Sequence, residues 1–150
     1  MKKLLFILML CPLMMITSCK DNANASAGKN SKEVLLDKEI AASNAMFPMQ
    51  VDIATTLKSV SRDGKVVTYE YEIDESVLEF ETLTAKEETY RSQLESQLAA
   101  LSKPNAEMYA FVSILKETDC GLRYLYKGNL TGKTMAIEFT SDELKKLSEE

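Results

Sequence analysis

Asp63-Gly64-Lys65-Val66-Val67-Thr68-Tyr69-Glu70-Tyr71-Glu72-Ile73 decides the fold. Val67, Tyr69, Tyr71 and Ile73 alternate with Thr68, Glu70 and Glu72, the period-two pattern of a strand with one face buried. Asp63-Gly64 ahead of it predicts a tight hairpin of type I′, because glycine tolerates the positive φ such turns need. The partner strand lies upstream. Met49, Val51 and Ile53 alternate with Gln50 and Asp52, and Thr55–Val60 extends the same strand. Leu57 keeps the parity and Val60 breaks it, which predicts a bulge.

A second hairpin follows near the end of the chain. Leu122, Tyr124 and Tyr126 alternate with Arg123, Leu125 and Lys127, and Gly128–Gly132 forms the turn. Met135, Ile137 and Phe139 then alternate with Thr134, Ala136 and Glu138. The two hairpins align at a constant offset: Gly64, Lys65 and Glu70 fall on Gly132, Lys133 and Glu138, and Leu57 falls on Leu125. A helix precedes each. The expectation is a duplicated helix–hairpin unit forming an α+β fold. Helices would pack on one face of a four-stranded antiparallel sheet, because hairpins alone are marginal in water.

Helical periodicity fills the rest. Leu36, Ile40, Ser43 and Phe47 predict a helix capped by Ser31 and stopped by Pro48. Glu75–Leu83 reads equally as a short helix or irregular chain. Thr84 and Glu87 have capping-box spacing, opening a helix whose face is Tyr90, Leu94, Leu98 (or Gln97) and Leu101. Asn105 is expected to cap the next helix, with Met108, Phe111, Val112 and Leu115 as its stripe. Gly121 is expected as its left-handed terminal residue. Thr140 and Glu143 predict a second capping box and a short final helix.

The amino-terminal stretch speaks to location. Lys2 and Lys3 precede an apolar run, Leu4–Ile16, of 13 residues. A membrane span needs about 20 residues, so this run is too short and reads instead as a secretory signal. Ile16-Thr17-Ser18-Cys19 resembles the lipobox of bacterial lipoproteins: aliphatic, medium, small, then cysteine. Cys11 competes poorly because Leu10 precedes it. The resemblance implies cleavage before Cys19 and a diacylglycerol thioether on its sulfur, with further acylation of the new amino terminus. It thus implies export and a bilayer anchor through acylated Cys19, at the outer membrane and facing the periplasm or the cell surface. Lys20-Asp21-Asn22 is similar to short sorting signals that direct lipoproteins to that surface, though with one acid only. Residues 1–18 are therefore expected as signal peptide and 19–31 as lipidated cysteine and tether. Residues 32–150 are expected as one globular domain. Phe47–Leu57 also resembles a stretch of small uncharacterised periplasmic and lipoprotein domains, which implies a shared fold and no activity.

Composition narrows the chemistry. Removal of residues 1–18 leaves 132, enough for a core without staples. Cys120 is then the single thiol beyond Cys19, expected as a buried small hydrophobe. The charge balance of this portion is 16 basic against 23 acidic residues. With no basic cluster, nucleic acid is not an expected partner. The chain has no histidine, which removes histidine-dependent nucleophiles, metal ligands and pH switches. No phosphate loop, calcium loop or serine-nucleophile motif is present. No cofactor or metal is expected. Glu70 and Glu138 occupy equivalent repeat positions on the outward face, where paired carboxylates could support acid/base chemistry if held close together. Outward carboxylates are, however, ordinary on a half-exposed sheet. Tyr69, Tyr71, Tyr124 and Tyr126 could form a ligand platform, but they share parity with Val67 and Ile73 and are expected in the core.

The leading expectation is a non-enzymatic binding or accessory module that contacts a protein or extended ligand through a sheet edge or the polar face. The alternatives are a carboxylate-dependent hydrolase and an inhibitor or immunity-type protein with an acidic face.

Overall fold

The computed structural model describes residues 31–104 and 109–147. Cys19, the signal peptide, the tether as far as Asn30, the expected Asn105 cap and Met108 of the expected helix stripe lie outside them.

Helix α1 (Ser31–Asn44) buries Leu36, Ile40 and Ser43, three of the expected face; Ser31 is its first helical residue and not its cap, and Phe47 lies beyond its end, which comes at Asn44, where the side chain turns to Val60. Strands β1 (Met49–Gln50), β2 (Thr55–Asp63) and β3 (Val66–Ile73) follow. Helices α2 (Phe80–Thr84), α3 (Glu87–Leu101) and α4 (Tyr109–Glu117) cross over the sheet. Strands β4 (Gly121–Gly128) and β5 (Thr134–Phe139) and helix α5 (Ser141–Lys146) complete the chain.

The sheet has five strands in sequence order, β1 to β5. Both hairpins form as expected, with β2 antiparallel to β3 and β4 antiparallel to β5. The bulge falls between Leu57 and Ser59. At the centre, however, β3 and β4 run parallel, from Val66 against Gly121 to Ile73 against Gly128. The sheet is mixed, not four-stranded antiparallel. Three helices join the hairpins, and a long helical crossover is what parallel pairing requires.

This topology also overturns the duplication. A repeated hairpin would need β2 matched to β4 and β3 to β5. With strand directions reversed, that match turns the buried face outward. Both hairpins bury the same face, so their similarity is one of alternation and turn residues.

The inner face carries Leu57, Val60, Val67, Tyr69, Tyr71 and Ile73 from the first hairpin. Leu122, Tyr124, Tyr126, Met135, Ile137 and Phe139 come from the second. Phe80, Leu83, Tyr90, Leu94, Leu98, Phe111, Ile114 and Leu115 cover them from the helices. The tyrosines are core, as their parity predicted. Their rings stack in a continuous row: Tyr69 on Tyr124 at 5.7 Å, Tyr124 on Tyr71 at 6.5 Å, and Tyr71 on Tyr126 at 5.1 Å. Burial pushes the Tyr124 and Tyr126 hydroxyls well above the usual phenol range.

Four local expectations fail for identifiable reasons. Ile53 does not continue a strand. Asp52 Oδ1 accepts from Ala54 N–H at 2.8 Å, and Thr55 C=O accepts from Val51 and Asp52 N–H. This side-chain turn folds β1 back onto β2, pairing Met49 with Leu57. Thr84 ends α2, donating to Glu81 C=O, and α3 starts after Lys86 without a side-chain cap. The first hairpin has a two-residue loop, Gly64-Lys65, in which Gly64 alone has positive φ (56°). That is the pattern of a II′ turn, not I′. The left-handed residue ending α4 is Asp119 (φ 53°), not Gly121. Cys120 N–H bonds to Leu115 C=O and Asp119 N–H to Lys116 C=O, a complete Schellman motif. The Thr140–Glu143 capping box forms with both reciprocal bonds.

Candidate functional site

The outward face of the sheet is largely polar. Thr68, Glu70 and Glu72 line up beside Arg123, Leu125 and Lys127, with Thr134, Ala136 and Glu138 beyond. Two cross-strand ion pairs tile it: Lys58 Nζ to Glu72 Oε1 at 3.3 Å, and Arg123 Nε to Glu138 Oε1 at 2.6 Å. A shallow groove of about 430 Å³ runs between Lys58, Glu70, Glu72 and Lys127 and the overhanging Gly128–Gly132 turn.

Glu70 and Glu138 share this face but are not brought together. Glu70 lies in register with Leu125 and Ala136, whereas Glu138 lies in register with Arg123 and Thr68. Two strand spacings and one pleat repeat separate their backbones, about 12 Å. Two carboxylates that share one substrate bond sit roughly 5–9.5 Å apart in a common cleft, whereas the groove on this face is lined by Glu70 and not by Glu138. Glu138 is also engaged by Arg123. Among the described residues, no group of three His, Cys, Asp or Glu side chains is placed to hold a metal ion. Cys120 is fully buried between α4 and β4.

The two sheet edges differ. On the β2 side, β1 covers Thr56 and Leu57. Beyond it, the Asn44 side chain acts as a one-residue strand: Nδ2 donates to Val60 C=O at 2.6 Å, and Oδ1 accepts from Val60 N–H at 3.0 Å. Helix α1 thus supplies the amide that blunts this edge. On the β5 side, Lys133 C=O accepts from Gly128 N–H. Backbone groups alternate along an antiparallel strand, so Thr134, Ala136 and Glu138 present theirs away from β4. Arg91 from α3 donates to Glu138 C=O at 2.7 Å and to Glu143 Oε1 at 2.8 Å, and lies over the Phe139 ring. Among the described residues, none bonds to the edge at Thr134 and Ala136 in this way, and both are exposed.

One end of the sheet carries exposed aliphatic side chains. Ile53 (71% exposed), Val77 (50%) and Leu130 (73%) project from three adjacent loops. Asp74 N–H bonds to Ala54 C=O, and Asn129 N–H to Ile73 C=O, which ties the β1–β2 turn, the exit of β3 and the β4–β5 turn side by side. The Glu75 carboxylate locks the last of these. It accepts from Leu130 N–H, Thr131 N–H and the Thr131 hydroxyl at 2.7–2.8 Å. Sequence reading misses this tip, because isolated aliphatic residues in loops carry no periodicity.

Among solved structures, the chain is similar to a Pseudomonas aeruginosa protein provisionally named as secreted. The TM-score is 0.59 and the identity 16%, over 78% of this chain and 99% of that one. The two share a fold. The chain is also similar to EpsS, the pilotin of the Vibrio vulnificus type 2 secretion system, with a TM-score of 0.49 and 8% identity over 75% of this chain and 91% of that one. No family model and no curated protein matches it. No helix among the described residues is long and apolar enough to cross a membrane.

Proposed function

We propose that this chain is a non-enzymatic accessory module of the bacterial envelope. In this reading it is held at the outer membrane by acyl chains on Cys19 and docks a partner protein through the Ile53–Val77–Leu130 tip. The tip is the observation that carries the reading: three exposed aliphatic side chains at one end of an otherwise polar sheet. The place where the described chain starts supports it. Helix α1 begins beside the first hairpin turn, where Lys65 Nζ reaches Glu33 Oε1 at 2.6 Å. The tip is at the far end of β3, about 23 Å away by strand rise. An anchor at one end thus leaves the other free. Two or more acyl chains hold a protein stably, where one does so only marginally. Asp74 and Glu75 border the tip, and the chain from Cys19 onward carries a formal −7. The fitting partner has an apolar recess with a basic rim.

Two measurements test this. Labelling cells with a lipid precursor should mark the wild type and not Cys19→Ala, and label on the variant rules out the anchor. Affinity capture from envelope extracts should enrich a partner with the wild type and lose it with Ile53→Asp/Leu130→Asp, whose sites are exposed and outside the core. Capture that is unchanged by the double variant, or no enriched partner, counts against the docking tip.

A further inference from the structure

We infer that the β5 edge is a self-association surface, through which two copies of this chain join in one continuous ten-stranded sheet. The window is Thr134–Ala136. Both residues turn their backbone N–H and C=O groups away from β4, and both have side chains that leave the edge accessible.

The Arg91 guanidinium selects the register. A pairing centred on Ala136 would use Glu138 C=O, which Arg91 already holds. A pairing centred on Met135 avoids it. Thr134 then faces Ala136 of the second copy, and Ala136 faces its Thr134, with four backbone hydrogen bonds formed. Met135 falls on the two-fold axis opposite its own copy, with its side chain buried in its own core, so the pairing rests on the backbone. Lys133 falls opposite Ile137, and Glu138 opposite Gly132. No like charges stand opposite one another.

The other edge sets the stoichiometry. β1 and the Asn44 amide occupy β2 as far as Val60. Beyond Val60, only Arg62 faces outward before the turn. With one open edge per copy, the association is isologous and closes at two. The surface is separate from the apolar tip, so it stands or falls apart from the proposed docking role.

Light scattering on the full-length chain in detergent micelles tests this. The protein mass is expected to double with rising concentration. Ala136→Pro should stay monomeric with unchanged circular dichroism. Proline is tolerated where an edge N–H faces outward, yet it removes that donor and blocks the approach. Hydrogen exchange on the wild type supplies a second readout, in which the Thr134 and Ala136 amides gain at least tenfold protection between dilute and concentrated samples. A wild type that remains monomeric, a mass beyond two copies, or exchange at β5 independent of concentration overturns the inference. Ile53→Asp/Leu130→Asp should dimerise like the wild type.

Discussion

Gly121 shows how one residue can be forced by packing that its neighbours in sequence do not reveal. It opens β4, fully covered, and a Cβ placed on it would stand 2.7 Å from Phe139 C=O. The carbonyl belongs to the β5 ladder and has little room to retreat. Gly121→Ala should therefore destabilise by roughly 1–3 kcal/mol, the usual cost of overpacking, in a urea titration with an unchanged slope. A loss below about 0.5 kcal/mol would mean that the strands part easily. The sequence pointed to this glycine but for the wrong reason, as a left-handed helix end. Asp119 takes that role, and aspartate is among the few residues that tolerate it. Asn44 was equally hidden. Its position in the helix is legible, but its bonds to Val60 depend on where β2 lies.

At the scale of elements, both hairpins, the bulge, the terminal capping box and the buried faces of α1, α3 and α4 were legible, because alternation and helical stripes are local signals. The β1–β2 fold-back was not, since Asp52 sits in an alternating run that reads as one strand. The β4–β5 turn was legible only as a turn. Its lock, Glu75, comes from a different segment. Hydrogen bonds from Thr131 N–H, the Thr131 hydroxyl and Leu130 N–H hold that carboxyl below its usual range. With the folded value lowered, the stabilisation is complete above the unfolded value of about 4.3 and is lost as pH falls through the folded one. Acidification below pH 4 should therefore free the Leu130 and Thr131 amides, seen as faster hydrogen exchange after correction for intrinsic rates. Glu75→Gln should exchange faster at neutral pH as well. Equal protection at pH 6 and pH 3 would show that the carboxylate does not hold the turn. Because Leu130 belongs to the tip, partner capture should weaken over the same range.

At the scale of the molecule, the sequence suggested two copies of one unit, and the structure is instead two hairpins meeting at a parallel seam. Alternation says which face is buried but not which strand lies next to which. That depends on the intervening helices and the direction in which they return the chain. The seam has a kinetic consequence. Each hairpin closes locally, on the microsecond scale typical of such turns, but β3 meets β4 across a constant separation of about 55 residues. Closing a loop of that length costs roughly 3.5 kcal/mol of chain entropy beyond a constant, before any seam contact forms. Registration of β3 with β4 is thus the natural bottleneck of folding. Until it is passed, each newly made chain exposes two half-sheets, each with an uncovered inner strand, so the interval before the seam closes is when the chain is most prone to pair with the wrong neighbour.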